Sequence, residues 1–344
     1  MKTALTYDDI QLIPSYSNVK TRTEVDLSCK ISKNYSIKIP IVASPMDTVC
    51  GYEMAAKLYE LGGVGCIHRF NTIEEQSRIV TKLAENIDIN KYTKWKKTVN
   101  LPIMIAIGVQ EEDKGRAKEC INKGANVIII DVAHGDHENV ISMIKWCKHN
   151  LPSNVDIIAG NIATAEAAVN LQEAGADGLR VGIGGGSLCT TRIKTGFGVP
   201  NVTCLEEILE VAEVPIMADG GIRTSGDISK ALAVGADCVM IGSLIAGTLE
   251  SPGKLQEKGN GLYKRYRGSA SLETKTTHGQ TERNIEGEST IIPFKGGVKY
   301  IIKGLTDGLR SACSYAGANS LSEFHPKYIR VTNAGLTEGK PHLL

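Results

Sequence analysis

A glycine-rich stretch, GGGSLCTTR at residues 184–192, carries the side chains best suited to covalent chemistry. Cys189 is followed by Thr191, whose hydroxyl could hydrogen-bond a reacting group, and by Arg192, whose positive charge favours the thiolate. Most cysteines are buried and inert, and most glycine-rich turns are only tight connections. The combination predicts a nucleophile at Cys189, with a structural thiol as the alternative.

The glycines around this cysteine, at positions 182, 184, 185 and 186, predict close approach of a ligand to the backbone. A turn rich in glycine can direct several amides or several carbonyls at one point. Converging amides would hold a phosphate, to which the hydroxyl of Ser187 could add, and converging carbonyls would hold a monovalent cation. A simple strand-to-helix connection is the alternative.

Two later segments, ADGGI at 218–222 and IGS at 241–243, indicate a phosphorylated ligand. Both follow predicted strands near the end of a repeating series, and glycine-rich ends at those positions are a frequent phosphate site in α/β barrels. Asp219 would repel a phosphate and suits the two hydroxyls of a ribose. Its alternative role is to cap the next helix.

Several other kinds of site lack their motifs. No GxGxxG follows an early strand, which argues against a Rossmann nucleotide site. No HExxH or paired histidine ligands occur, so zinc catalysis is not supported. The nine cysteines include no CxxC pair and are odd in number, a pattern typical of reduced thiols rather than of a disulfide framework or a zinc site.

The elements that must position these residues are eight short apolar runs, each followed by a segment with helical character. Continuous apolar runs bounded by Gly or Asp are typical of parallel strands buried on both faces. Eight alternations, with a repeated Gly-Ala-Asp/Asn turn before the strand, predict an α/β fold, a (β/α)8 TIM barrel. A doubly wound sheet is the main rival. The runs are IPIVAS, GGVGCIH, LPIMIAIG, NVIIIDVAHG, VDIIAGN, DGLRVGIG, VPIMADGG and DCVMIGS.

Polar residues gather where the predicted strands end. In a barrel the carboxyl ends of all strands form one rim, where active sites are built. The barrel therefore predicts one site that draws on most of the strands, from Ser44, Met46, Asp47, His68, Arg69, Asp131, His134, Asn161, the glycine-rich loop, Asp219, Gly220, Gly242 and Ser243.

Length and charge exclude other classes of protein. The 344 residues suit one large domain over 1–344, and the net charge of +1 gives no reason to expect a nucleic-acid or anionic-membrane partner. No apolar stretch approaches the roughly 18 residues of a membrane helix, so we expect a cytoplasmic protein.

The organisation changes after the eighth predicted strand. Residues 251–295 are polar and glycine-rich with almost no apolar periodicity, which predicts a long irregular segment, either a flap or a disordered insertion. The apolar STIIPF near its far end favours an anchored flap. Residues 296–317 predict a closing amphipathic helix.

The motifs VGIGGGSLCTTRIKTGFGVP, SPMDTV, AGNIATAEAA, ADGGI, IGSLIAGTLESPG and GLRSACSYAG resemble the IMP dehydrogenase and GMP reductase family over nearly the whole chain. The resemblance implies a (β/α)8 barrel, typically tetrameric, with the catalytic loop after strand six and the flap after strand eight. It also implies that a loop cysteine joins C2 of a purine nucleotide and that hydride moves to or from a nicotinamide cofactor.

The resemblance implies a role for each matching residue. Cys189 is the nucleophile, Met46 lies where the base packs, and Asp219 binds the ribose. The remaining substrate positions, largely phosphate-binding, are Ser44, Ser187, Gly220, Gly221, Gly242, Ser243 and Arg283. The nicotinamide side is formed by Asp131, Val132, Ala133 and Gly182, and potassium would be held by the backbone carbonyls of Gly184, Gly186 and Cys189. Gly185 and Arg69 depart from the family pattern, where Pro or Ser and Lys are usual.

The flap sequence favours one of the two reactions. Dehydrogenases of the family carry an Arg-Tyr pair in a longer flap, and residues 272–290 contain none; Arg265 and Tyr266 only approach that segment. RNIEGESTIIPFKG, at 283–296, resembles the reductase pattern, in which Glu286 works with Thr191 on the departing ammonia.

No room remains for the pair of CBS modules that dehydrogenases usually insert, although AGNIATAEAA, GGVGCIH and RGSASL are more like dehydrogenase sequence. We therefore expect a homotetrameric GMP reductase that acts on GMP with NADPH, or with NADH as the alternative, and binds potassium. The alternatives are an IMP dehydrogenase without CBS modules, which oxidises IMP to XMP with NAD, and a non-catalytic nucleotide-binding regulator.

Overall fold

Eight parallel strands close into a barrel in the computed structural model, which describes residues 3–86, 101–279 and 283–340. Three short strands precede the barrel: β1 (Ile10–Leu12), β2 (Cys29–Lys30) and β3 (Ser36–Ile37). The barrel strands follow in chain order and neighbour each other in that order, with β11 pairing back to β4. They are β4 (Ile41–Ala43), β5 (Val64–Ile67), β6 (Met104–Ile107), β7 (Val127–Asp131), β8 (Asp156–Ile162), β9 (Gly178–Val181), β10 (Ile216–Asp219) and β11 (Cys238–Ile241).

These strands are the eight predicted runs, so the (β/α)8 barrel is confirmed and the doubly wound alternative is wrong. Helices cover the outside of the barrel, which is why strands such as β6 and β7 are buried along their whole length. The helices are α1 (Tyr52–Leu61), α2 (Ile73–Asn86), α3 (Glu111–Asn122), α4 (Glu138–Asn150), α5 (Ala165–Glu173), α7 (Asn201–Leu209) and α8 (Ser225–Val234), with the short α6 (Thr191–Thr195) in the glycine-rich loop.

The flap, residues 251–295, is more regular than its sequence predicts. Its described part forms a three-stranded antiparallel sheet with a short helix: β12 (Gln256–Lys258), β13 (Gly261–Arg267), α9 (Leu272–Thr277) and β14 (Ser289–Pro293). The prediction of a long irregular segment is therefore wrong for these residues, while 280–282 lie outside the described ones. The reason is that β13 buries Lys264 and Tyr266 instead of aliphatic side chains, so apolar periodicity does not reveal the strand.

The chain after the flap returns along the barrel. Helix α10 (Val298–Ala316) buries one face and ends at Gly317, which has the left-handed φ of 72° common at helix ends. Strand β15 (Tyr328–Arg330) then pairs with β1, and α11 (Asn333–Glu338) follows. No helix among the described residues is long and apolar enough to cross a membrane.

A buried carboxylate fastens the amino-terminal hairpin to the barrel, at the end opposite the rim. Asp156, at the start of β8, is fully buried and accepts hydrogen bonds from the hydroxyl of Ser32 (2.6 Å) and from both the backbone amide and the side-chain amide of Asn34 (2.8 Å each). Ser32 and Asn34 lie in the turn between β2 and β3. Three donors thus compensate the desolvation of one carboxylate.

We predict that Asp156→Ala lowers the free energy of unfolding by about 3 kcal/mol, because the charged acceptor is lost and its donors remain buried. Urea denaturation measures this change. The control is Asp307→Ala, which removes a half-exposed carboxylate of α10 and should change the free energy by less than about 0.5 kcal/mol. Equal unfolding midpoints for the two variants would contradict the assignment.

Candidate active site

A cleft of about 320 Å³ opens at the carboxyl ends of the barrel strands. A smaller cavity of about 140 Å³ adjoins it. Between them the two cavities bring together nearly all of the residues predicted for the site: Ser44, Met46, Asp131, Val132, Ala133, Gly182, Gly184, Gly186, Ser187, Cys189, Thr191, Asp219, Gly220, Gly221, Gly242, Ser243 and Glu286. Arg283 is exposed and is not among the described residues that line either cavity.

The thiol of Cys189 belongs to a chain of three polar groups. Its Sγ lies 3.1 Å from Oγ1 of Thr191, and that hydroxyl donates to Oε2 of Glu286 at 2.8 Å. The thiol therefore donates to an oxygen whose own proton points at a carboxylate. Such a chain can move a proton between the sulfur, the hydroxyl and Glu286.

Burial sets the other eight cysteines apart from Cys189. All nine thiols are free. Burial raises the pKa of Cys120, Cys147 and Cys204 to about 12 and that of Cys313 to about 11. Burial also raises the pKa of Cys29, Cys50, Cys66 and Cys238. Thiols of this kind carry almost no thiolate at neutral pH. Of the nine, Cys189 is the one that lines the cleft.

Backbone pairing places Glu286 beside this cysteine. The amide of Thr190 donates to the carbonyl of Glu286 at 3.0 Å, and the amide of Glu288 donates to the carbonyl of Leu188 at 2.9 Å. Cys189 consequently faces Gly287 across a short antiparallel bridge. The carboxylate is thus fixed by the same loop that holds the thiol, although almost a hundred residues separate them in sequence.

A buried arginine joins the two sides of the cleft. Nη1 of Arg180, in β9, lies 2.5 Å from Oδ1 of Asp131, and its Nε donates to Oδ2 of Asp219 at 3.0 Å. Asn161 donates to the same Asp219 oxygen at 2.8 Å, and Nε of Arg69 lies 3.5 Å from Asp131. Burial alone would lower the pKa of Arg180, but the two carboxylates outweigh it and the pKa is raised. The guanidinium therefore stays protonated and orients both carboxylates.

Arg180 was not predicted as part of the site. The signal that could have found it is a single charged residue inside an otherwise apolar strand, DGLRVGIG. A charge in that position needs compensating partners inside the barrel. The ends of β7 and β10 supply them.

Two glycines are required where loops touch. Gly182 has a φ of 135°, and a Cβ there would overlap the carbonyl oxygen of Asp219. Gly220 has a φ of 86°, and a Cβ there would lie 2.9 Å from the carbonyl carbon of Gly185. The backbones of the loops after β9 and β10 are therefore in direct contact, which only glycine permits.

The smaller cavity is lined by hydroxyl groups and glycines together with Asp219. Ser187 lies 3.0 Å, oxygen to oxygen, from the phenol of Tyr266, and both line the cavity with Gly220, Gly242 and Ser243. Burial raises the pKa of Tyr266, so the phenol remains a proton donor. Tyr266 was interpreted from sequence as part of the approach to the flap only; the structure corrects this, because β13 turns its side chain into both cavities.

Some residues of the predicted rim do not reach the cleft. Asp47 is occupied by Arg267, whose Nη2 lies 2.5 Å away, and by Nε2 of His278 at 2.9 Å. Burial lowers the pKa of His68 to about 4, so that side chain is neutral near pH 7. Lys275, which was not predicted, lines the cleft from α9.

The other end of the cleft differs in character. Val132 and Ala133 lie there with Asp131, Arg69 and Phe70, so an apolar wall meets a charged edge. Such a wall fits the planar ring of a nicotinamide. In the glycine-rich turn, the carbonyl of Gly186 accepts the amide of Cys189 at 3.1 Å, so one of the three carbonyls predicted to hold potassium is already engaged within the turn.

Comparison with known proteins assigns the fold and its cleft to a family. Residues 4–342 match the family described as IMP dehydrogenase / GMP reductase domain. The chain belongs to this family. It is 40% identical to an inosine-5'-monophosphate dehydrogenase of Cryptosporidium parvum, over 98% of this chain and 94% of the relative. It is 38% identical to a GMP reductase of Streptococcus agalactiae, over 95% of each chain.

A solved structure of the IMP dehydrogenase / GMP reductase family superposes closely. It is a GMP reductase of Trypanosoma brucei in complex with guanosine 5'-monophosphate, with a TM-score of 0.92, 32% sequence identity, and coverage of 100% of this chain and 98% of that one. The family and these relatives support an oxidoreductase that acts on purine nucleotides. Because both activities occur among similar relatives, identity alone does not decide the reaction.

We predict that Arg180→Met lowers the free energy of unfolding by about 3–5 kcal/mol at pH 7.5, because it leaves the buried Asp131 and the partly buried Asp219 without the cation between them. In the native protein the raised pKa of Arg180 keeps the guanidinium charged at this pH, so its pairing with both carboxylates is present.

Urea unfolding at pH 7.5 measures the loss, with Arg78→Met on the exposed face of α2 as the control. A loss no larger than that of the control would show that the two carboxylates do not depend on this cation.

Proposed function

We propose that the protein is a GMP reductase, which converts GMP and NADPH to IMP and ammonia through a covalent bond between Cys189 and C2 of the purine. The observation that carries the proposal is the 2.8 Å hydrogen bond from Thr191 to Glu286, next to the cysteine. The group that leaves C2 in this reaction is an amine, and an amine must be protonated to depart. A carboxylate linked to the nucleophile through a hydroxyl is suited to that transfer.

The cleft accommodates a purine monophosphate in one orientation. The phosphate occupies the smaller cavity with Ser187, Tyr266, Gly220, Gly242 and Ser243. Asp219, oriented by Arg180, then faces the ribose hydroxyls, and Met46 lies beside the base. The GMP in the similar Trypanosoma brucei structure supports a nucleotide of this class.

The proposed chemistry divides one difficult substitution into two easier steps. The thiolate of Cys189 adds to C2, the proton of the thiol having moved toward Thr191 and Glu286. Protons delivered along the same path allow ammonia to leave, so C2 remains bonded to sulfur and doubly bonded to a ring nitrogen. NADPH supplies the hydride that C2 accepts, and expulsion of the thiolate releases IMP. GMP, NADPH and two protons thus give IMP, NADP⁺ and ammonium.

We assign the cofactor to the end of the cleft whose side chains fit it. Asp131, Val132, Ala133 and Gly182 would hold the nicotinamide side of NADPH, with NADH as the alternative. The carbonyls of Gly184, Gly186 and Cys189 would hold potassium. We also propose a homotetramer, as the family resemblance implies.

An IMP dehydrogenase is the second candidate, favoured by the 40% identity to the Cryptosporidium parvum enzyme. That reaction needs a base to activate the water that hydrolyses the covalent intermediate. Arg265 and Tyr266 do not form such a base, because Arg265 is bound to Glu273 and Tyr266 to Ser187. These contacts favour the reductase.

We predict that the protein oxidises NADPH in the presence of GMP and does not reduce NAD in the presence of IMP, as followed by absorbance of the reduced cofactor. Cys189→Ala should abolish turnover, because the covalent bond cannot form. Cys29→Ala, which removes a thiol that lines neither cavity, should retain it. Reduction of NAD with IMP, and no reaction with GMP, would reverse the assignment.

We predict that Glu286→Gln lowers kcat for ammonia release by about 10²- to 10⁴-fold, the usual contribution of a general acid or base. The matched control is Glu288→Gln, two residues along, whose side chain is exposed. Ammonia release is measured with a coupled glutamate dehydrogenase assay. Full activity of Glu286→Gln would remove the proposed acid.

A further inference from the structure

Two lysines of the flap hold the loop that follows the last barrel strand. This loop, residues 242–251, is called the phosphate loop below. Nζ of Lys264 donates to the carbonyls of Thr248 (2.9 Å), Leu249 (3.3 Å) and Ser251 (2.5 Å). Nζ of Lys295 donates to the carbonyls of Ser243 (2.5 Å) and Leu244 (3.3 Å).

The environment of Lys264 shows that its ammonium group is matched to these carbonyls. The residue is only 4% exposed, and burial lowers the pKa of its amine. A buried ammonium is strongly unfavourable unless its donors are satisfied. Its three protons are directed at three carbonyl oxygens. A bound monovalent cation would be coordinated by carbonyls in a similar way. Lys264 therefore fixes the far end of the phosphate loop, while Lys295 holds its start.

The strand that carries Lys264 also leads to the reactive residues. Two positions further on, Tyr266 projects from the same face of β13 and reaches Ser187. Strand β13 pairs with β14, with Tyr263 opposite Pro293 at one end and Arg267 opposite Ser289 at the other. The segment just before β14 contains Glu286, which is paired with the loop of Cys189. The hairpin therefore connects the phosphate loop to the acid of the reaction through continuous backbone pairing.

We infer that Lys264 and Lys295 are positioning residues that place Glu286 against Thr191 by anchoring the β13–β14 hairpin on the phosphate loop. The inference rests on the proposed function, because it takes Glu286 as the group that releases ammonia. Binding of the phosphate group to this loop then favours the arrangement in which Glu286 is in place. Binding energy of the phosphate group, which is remote from C2, is thereby used to place the acid that acts at C2.

A double-mutant cycle tests this inference with the full-length protein, GMP and NADPH. The variants are Lys264→Met, Glu286→Gln and the two combined. Lys264→Met alone should lower kcat about tenfold to 100-fold, the effect of misplacing a catalytic group by about 1 Å. In the Glu286→Gln background the same change should lower kcat by less than about threefold, since the group it positions is already lost.

Lys295→Met provides a second, less buried variant for the same cycle if Lys264→Met does not fold, which thermal unfolding shows. Lys303→Met removes an exposed lysine of α10 and should leave kcat unchanged. Equal losses in the two backgrounds would show that the lysines only stabilise the protein, and would overturn the inference. Absence of GMP turnover in the native protein would instead refute the proposed function, and the inference with it.

Discussion

The site depends on one buried cation held between two carboxylates. Arg180 lies in the barrel interior and binds Asp131 at the end of β7 and Asp219 at the end of β10. A lone charge there would be strongly destabilising, so the guanidinium can be buried only with its two carboxylate partners. This triad orients the proposed nucleotide side and the proposed cofactor side of the cleft at once. It also gives the proposed ribose ligand a fixed geometry before any substrate arrives.

The reactive groups are assembled differently, by backbone pairing above the barrel. The rim supplies the glycine-rich loop with Cys189 and Thr191, and the flap supplies Glu286. Neither segment alone contains the thiol, the hydroxyl and the carboxylate. The short bridge between Cys189 and Gly287 therefore determines whether the thiol has an acid within reach. Under the proposed function, the flap rather than the cysteine loop would determine which proton transfers are possible.

The fold and much of the cleft could be predicted because their signals are local. Each barrel strand is a continuous apolar run, and the polar residues that follow the runs share a rim as soon as the barrel closes. Arg180, Tyr266 and Lys264 were missed for a common physical reason. Each has a long apolar stem and one polar end, and whether it is buried depends on partners distant in sequence. For the same reason the flap was expected to be irregular, although the described part is a sheet.

The buried side chains of strand β13 also determine its register. Its buried face consists of Lys264 and Tyr266, and each has particular partners: three carbonyls for the ammonium and Ser187 for the phenol. Sliding the strand by two residues would keep the same face inward but would leave a buried ammonium without acceptors. An aliphatic strand would tolerate that slip with little change in energy. The polar face thus makes misaligned hairpins unstable during folding, and it also leaves this strand little freedom to accumulate substitutions.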